Sequence, residues 1–374
     1  MVRCPYNPDC MVDAVGAGNM QEIQVVGRNI LEPSETQVLM NQSICRKLLT
    51  FWFVIILVAG VPRDSSRLVA AEALPPLAEV TVRSTLDQQP QAVSLWAPAR
   101  ASTEMTPIFV YLHSWSSDYK QDNSIWQAEA VRRGWIYLHP NFRGRNDHPE
   151  ACGSALARQD ILDALDYALG KYQVDPARIY LAGTSGGGHM SMLMAGYHPE
   201  RFSAVSAWVG ISDLTAWHRF HSPDGKSKNY ALMMEACMGG APGTSKAVDA
   251  EYRSRSPLFV LGRAHDLPID IAAGVEDGHL GSVPVRHSLL AFNVLAKHHQ
   301  TPEISEVEMQ QLWEWKRLKQ PQPGDTAADA TYGRDILLRR KAGPSRVTIF
   351  QGDHEGLPNA ACEWLSAQRR MTKR

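Results

Sequence analysis

A hydroxyl, an imidazole and a carboxylate fall at three well-separated points of this chain, in an order suited to acyl transfer. The hydroxyl is Ser185, in Gly183-Thr184-Ser185-Gly186-Gly187, which fits the pattern G-x-S-x-G. The pattern has a mechanical reason: a sharp strand-to-helix turn holds the serine in strained backbone geometry, and small flanking residues let neighbouring elements close in. Alone, the pentapeptide is a weak signal, because many glycine-rich loops contain a serine. Its context strengthens it. Ile179-Tyr180-Leu181-Ala182 reads as an apolar strand entering the turn, and residues 190–195 read as the helix that leaves it.

A serine hydroxyl is a poor nucleophile until a positioned base takes its proton. In α/β-hydrolases the chain order is Ser, then Asp or Glu, then His, with acid and base on loops after later strands. Residues 269–273 are strand-like and end in Gly274-Val275-Glu276-Asp277. Residues 347–351 are the next such strand and end in Gly352-Asp353-His354-Glu355-Gly356. Both loops fall at C-terminal strand ends, where α/β sheets place their sites. Asp277 and His354 are therefore the candidate acid and base. Glu276 adjoins Asp277, and one of that pair could be only a solvated neighbour, with Asp277 favoured as the acid; Asp353 points elsewhere if His354 leads its loop. Of the other histidines, His189 falls on the helix after the nucleophile, and His279 and His287 follow the acid too closely to be the usual base. His113 ends a strand near the expected oxyanion region, where it would shape the site without titrating.

Acyl transfer also needs donors for the oxyanion. The backbone N–H of Gly186, directly after the nucleophile, is one candidate, and the amide of Ser114 or Trp115 is the other. The loop there reads His113-Ser114-Trp115-Ser116-Ser117 rather than a glycine-rich run, so the choice between the two stays open.

The elements that must position these residues alternate. Strands are expected at 78–82, 92–96, 107–113, 135–139, 178–182, 204–209, 269–274 and 347–351. Helices are expected at 125–133, 155–169, 190–197, 285–298 and 358–368. Such alternation predicts an α/β fold: a mostly parallel central sheet with helices on both faces. Two polar stretches, 215–263 and 300–345, break the alternation. They carry Pro and Gly, are too long for simple connections, and are expected to be lids or binding loops.

Composition bounds the rest. The chain has 374 residues, 44% hydrophobic and 21% charged, which fits a globular protein with a sizeable core. A net charge of -1 and a single basic cluster at 369–374 give no reason to expect a nucleic-acid partner. Near the N-terminus, Arg46 and Lys47 precede an apolar run at 48–61 and then Ala71-Glu72-Ala73. That run is short for a membrane span, and the succession reads as a secretory signal peptide, with Met40 as the expected start in place of Met1. The rival is a signal anchor, the one circumstance in which a stable membrane partner is expected. The division expected is thus 1–73 as N-terminal extension and 74–374 as catalytic domain, exported to the periplasm or medium. Beyond residue 73 the cysteines are Cys152, Cys237 and Cys362; Cys152 and Cys237 could pair, or all three could be buried apolar residues. His298-His299 and Asp277-Gly278-His279 lack the complementary ligands of a metal site, and the acyl-transfer chemistry needs no cofactor.

From residue 107 onward the chain resembles the catalytic domain of the prolyl oligopeptidase family. The matching segments are Asn141-Phe142-Arg143-Gly144, then Gln159-Asp160-Ile161-Leu162-Asp163-Ala164, then Val174-Asp175-Pro176 before the nucleophile. Gly274-Val275-Glu276-Asp277, followed by Val283-Pro284-Val285-Arg286-His287-Ser288, resembles the family's acid loop. The resemblance implies an α/β-hydrolase fold with Ser185, Asp277 and His354 as nucleophile, acid and base. Three features depart from it: Gly186 stands where the family often has Tyr, five residues separate Asp277 from Val283, and no propeller-sized segment precedes the hydrolase region.

The expected activity is hydrolysis of an ester or peptide bond through an acyl-enzyme on Ser185. The chain is also similar to single-domain secreted esterases acting on acylated plant polysaccharides, so a carbohydrate esterase is the alternative. A non-catalytic binding protein on the same fold is the alternative of another class. Substrates would be small molecules, peptides or acylated saccharides. Trp115, Trp208, Trp217, Trp313 and Trp315 are candidates for an apolar or sugar-stacking wall, with Trp208 and Trp217 foremost; the plainer expectation for each is a core position.

Overall fold

The computed structural model describes residues 73–264 and 266–370. Within them, Thr106–Leu112, Ile136–Pro140, Ala204–Trp208 and Ile269–Gly274 bury every residue. A strand buried along its whole length presents no face to water, so each of these needs a layer on both sides.

In chain order the first elements are β1 (Ala78–Arg83), β2 (Pro90–Trp96), β3 (Thr106–Leu112), α1 (Ser124–Arg133), β4 (Ile136–Pro140) and α2 (Ala155–Lys171). Next come β5 (Val174–Thr184), α3 (Gly186–Tyr197), β6 (Ala204–Trp208), α4 (Leu214–Phe220), α5 (Tyr230–Met238) and α6 (Lys246–Ser254). The last are β7 (Ile269–Gly274), α7 (Arg286–His298), α8 (Glu306–Trp315), β8 (Ile336–Ala342), β9 (Ser345–Phe350) and α9 (Pro358–Ser366). The nine strands form one sheet in the order β1-β2-β4-β3-β5-β6-β7-β9-β8. Pairing is parallel from β4 through β9 and antiparallel at both margins, in β1/β2, β2/β4 and β8/β9. This is the α/β-hydrolase arrangement of an open, mostly parallel sheet within helical layers.

Register brings the chemistry to one edge. Leu112 pairs with Gly183, Thr184 with Trp208, and Gly274 with Phe350. The loops after β3, β5, β7 and β9 therefore leave the sheet side by side. The order reverses at β3, with β4 on one side and β5 on the other, and such a switch point opens a crevice at the strand ends.

The expected elements are present with shifted ends. α3 starts at Gly186, four residues before the expected start, because Ser185 turns the chain directly into the helix. β8 was not expected. Its burial alternates along Ile-Leu-Leu-Arg-Arg-Lys-Ala, and its charged half hid it among the polar residues of 300–345. The stretch 215–263 is not a set of open loops. It folds into α4, α5 and α6 around a second apolar cluster that holds Trp217, Met234, Cys237 and Tyr252 together with Trp115 and Val283. The N-terminal segment read as a signal peptide or anchor lies outside the described residues. Among the described residues no helix is long and apolar enough to cross a membrane.

Candidate active site

Ser185 stands on the turn between β5 and α3 with φ 62° and ψ −118°. A serine held at positive φ is strained, and such strain persists only where surrounding structure enforces it. The enforcement here is backbone. The Ser185 amide donates to Trp208 O at 2.9 Å, and the His189 amide donates to Ser185 O at 2.9 Å. Beside it, Thr184 Oγ1 accepts from the Tyr111 hydroxyl at 2.9 Å.

The Ser185 hydroxyl reaches His354 Nε2 at 2.8 Å. On the other side of the ring, Nδ1 lies 2.9 Å from each carboxylate oxygen of Asp277. Asp277 is fully buried, and its Oδ1 also accepts from the Val283 amide at 3.0 Å. Burial pushes its carboxyl above the ordinary carboxylate range, while the hydrogen bond from His354 pulls the other way. With Nδ1–H donating to Asp277, Nε2 presents its lone pair to the serine hydroxyl, the arrangement that proton abstraction requires. Glu276 points elsewhere, to Lys316 Nζ at 3.4 Å.

The oxyanion loop resolves differently from its simplest reading. The Ser114 amide donates to Gln121 Oε1 at 2.8 Å and so is committed. The Trp115 amide has no protein acceptor among the described residues, and it adjoins Gly186 closely. A Cβ on Gly186 would lie 2.3 Å from Trp115 N, so only glycine lets the two backbones meet. Gly186 and Trp115 are thus the neighbouring amides beside the nucleophile, and Ser114 is the anchor that fixes their loop.

The tryptophans correct an expectation. Trp208 is fully buried in the main core with its indole N–H on Ser206 Oγ at 2.8 Å. Trp217 is fully buried too, and its N–H donates to Ser282 O at 2.8 Å. Neither offers a ring face to a substrate; both fill core space that their large apolar area suits. Trp115 is buried against Trp217 with ring centroids 4.7 Å apart. Trp313 stacks on His279 at 3.7 Å beside the acid loop, and Trp315 is exposed.

Other histidines are occupied structurally. His113 is buried with Nε2 2.7 Å from Asn141 O and its ring on Phe142 at 3.8 Å. Burial lowers the His113 imidazole from its ordinary value. His189 and His287 are buried, and burial lowers them to about 4 and about 3. The cysteines Cys152, Cys237 and Cys362 are free and buried. Among the described residues no group of three or more metal-ligating side chains gathers.

Sequence reading missed Gln121, Gly281 and Ser282. Gln121 lies seven residues past its partner Ser114, with no local pattern to link them. A Cβ on Gly281 would come 2.3 Å from Asp277 Oδ1 and 2.4 Å from His354 Cβ, so the loop after the acid lies directly on the Asp–His pair. The extra residues between Asp277 and Val283 were the available signal for both Gly281 and Ser282.

Comparisons with known proteins agree with this geometry in class. The model of the prolyl oligopeptidase family matches residues 122–309. Feruloyl esterase B of Neurospora crassa is 40% identical over 93 residues, covering 22% of this chain and 31% of that protein. The uncharacterized peptidase YtmA of Bacillus subtilis is 25% identical over 178 residues, covering 47% of this chain and 63% of that protein. Among solved structures, prolyl oligopeptidase B from Galerina marginata, bound to a 35mer hydrolysis and macrocyclization substrate, gives a TM-score of 0.50 at 16% identity. That match covers 77% of this chain and 36% of the other, and it speaks to the fold alone. The chain matches less than two thirds of each of these proteins.

Proposed function

This chain belongs to the prolyl oligopeptidase family, and we propose that it is a serine hydrolase with Ser185 as nucleophile, His354 as general base and Asp277 as the carboxylate that orients the base. Ser185 Oγ attacks a carbonyl carbon while its proton passes to His354 Nε2. The oxyanion formed is held by the Gly186 and Trp115 amides, donors of a kind whose single loss typically costs about 10²–10³ in rate. His354 then gives the proton to the leaving group, and water releases the acyl group by the reverse exchange. Asp277 keeps Nδ1 protonated and stabilises the imidazolium. The observation that carries this reading is the unbroken line from the Asp277 carboxylate to Nδ1, at 2.9 Å, and from Nε2 to Ser185 Oγ, at 2.8 Å. The test is a fluorophosphonate probe: wild type is expected to be labelled and Ser185→Ala to be neither labelled nor active. Undiminished labelling of Ser185→Ala would sink the assignment.

The substrate is an acyl ester or a peptide. The stretch 40% identical to feruloyl esterase B favours a second, narrower reading, an esterase of acylated saccharides. Turnover of feruloyl or acetyl sugar esters above that of prolyl peptides would select it; preference for the peptides would reject it. We also read residues 74–374 as the catalytic domain, and the apolar run at 48–61 as the signal that exports it, a reading that the N-terminal sequence of the secreted protein tests.

A further inference from the structure

Ser282 stands beside the base, yet the reaction above gives it no part. Its Oγ lies 3.5 Å from His354 Nε2, the atom that holds the Ser185 hydroxyl at 2.8 Å. Its backbone is pinned. Ser282 O accepts from Trp217 Nε1 at 2.8 Å and lies 2.9 Å from His221 Nε2, both on or next to α4. The next amide, of Val283, donates to Asp277 at 3.0 Å. The preceding Gly281 rests on the Asp277–His354 pair with no room for a side chain.

Counting lone pairs shows what this hydroxyl can do. Neutral His354, protonated at Nδ1, has one lone pair at Nε2, and Ser185 occupies it. At 3.5 Å the Ser282 hydroxyl is past the range of a strong O–H···N bond, and its Oγ has no closer partner among the described residues. A half-buried hydroxyl, rigidly mounted and uncommitted, is therefore open to a third oxygen. Because Oγ and Nε2 are 3.5 Å apart, one oxygen can sit at about 2.8 Å from both.

We propose that Ser282 holds the water that resolves the acyl-enzyme. The proposal rests on the assignment of Ser185 and His354 above. Once Ser185 Oγ carries the acyl group, it has no proton to donate and the Nε2 lone pair is released. Water then donates one hydrogen to Nε2 and shares a hydrogen bond with Ser282 Oγ. Its oxygen bonds to the acyl carbon as its proton passes to Nε2. The tetrahedral adduct collapses, the bond from carbon to Ser185 Oγ breaks, and the proton moves from Nε2 to that oxygen. Ser282 exchanges no proton; it fixes the position of the attacking oxygen, and such positioning multiplies rate without new chemistry.

The probe is p-nitrophenyl trimethylacetate, a hindered ester whose acyl-enzyme hydrolyses slowly, used on the full chain. Release of p-nitrophenol reports acylation, and decay of the adduct in intact-mass spectra reports deacylation. In Ser282→Ala, acylation is expected to stay within about threefold of wild type while deacylation slows about fivefold to tenfold, the scale of one hydrogen bond. Ser282→Thr keeps the hydroxyl and should recover most of the rate. Unchanged adduct decay in Ser282→Ala overturns the proposal, as does an equal fall in both steps, which marks a merely structural residue. Absence of any adduct on Ser185 in wild type overturns the nucleophile assignment instead.

Discussion

On the nucleophile side of the site, backbone does the holding. Ser185 is fixed by a hydrogen bond from its amide to Trp208 O, by the turn from β5 into α3, and by the close pass of Gly186 and Trp115. Every one of these contacts follows from the register of β3, β5 and β6. On the base side, side chains from distant segments do the same work. Asp277 and His354 are steadied by the loop 278–282, and that loop is steadied by Trp217 and His221 from another part of the chain. Backbone register cannot be altered by one substitution, whereas side-chain props can be removed singly. Truncating a single side chain should therefore disable the nucleophile side only at its chemistry, and the base side by degrees. The nucleophile side's structural weak point is instead a side chain added at Gly186.

The largest expected effect is Ser185→Ala, a loss of roughly 10⁴–10⁶ in turnover with folding intact, read by steady-state rates and melting temperature together. Gly281→Ala comes next and probes the base side without replacing a reacting group. Its Cβ would fall 2.3 Å from Asp277 Oδ1 and 2.4 Å from His354 Cβ, so the loop or the Asp–His pair must shift. A displacement of about 1 Å near the chemistry costs on the order of 10² in rate. That loss in kcat, with the urea midpoint little changed, is the expected result. Global unfolding in Gly281→Ala would break the contrast, because it would make the base side as structural as the elbow.

The same contrast explains what was legible in the sequence. The elbow could be read because its parts are contiguous: an apolar strand, five residues, a helix. Asp277 and His354 could be read because each ends a buried strand in the expected order. Ser114 was indistinguishable from Trp115 because Gln121 decides between them, and nothing local marks that bond. Trp208 and Trp217 were candidates for a substrate wall by residue type and proximity, with a core position the plainer expectation, and packing decides for the core, with each buried and its N–H bonded. The helices of 215–263 were hidden by polar composition. Their apolar residues find partners in Trp115 and Val283, one from each side of the site.

Acid should separate the two sides by a smaller margin. His189, on α3 behind the nucleophile, is lowered by burial to about 4, and His287, on α7 behind the acid loop, to about 3. Both are depressed from about 6.5, so the unfolded chain binds more protons below that pH. Their contribution to stability is whole above pH 6.5 and is lost as pH falls toward 4, for His287 toward 3. Each histidine adds about a tenfold shift in the folding equilibrium per pH unit within its window. Partners decide which side yields first. His189 Nε2 faces the Arg255 carbonyl at 2.8 Å, a contact that a protonated ring keeps. His287 Nδ1 accepts from the Ser212 amide at 3.2 Å, and protonation sets donor against donor. Urea midpoints should fall in parallel in the His189→Asn and His287→Asn backgrounds down to about pH 4.5, and between about pH 4 and 3 should fall less in the His287→Asn background.

The smallest effect is the most diagnostic of the base side. Trp217→Phe keeps an aromatic ring near Trp115, Tyr230 and His221 but removes the N–H that reaches Ser282 O. His221 still serves that carbonyl, so no buried acceptor is orphaned, and the stability cost is mainly the space the smaller ring leaves in a fully buried cluster, on the order of 1–3 kcal/mol. Deacylation should slow about twofold to threefold as the loop gains freedom, a fraction of one hydrogen bond. Contacting residues that act through one group are not additive. In a Ser282→Ala background, Trp217→Phe should therefore slow the adduct's decay no further, because the hydroxyl it steadies is already gone. A full second loss in the double variant would mean that Trp217 reaches the base by another path, through Val283 and Asp277 rather than through Ser282.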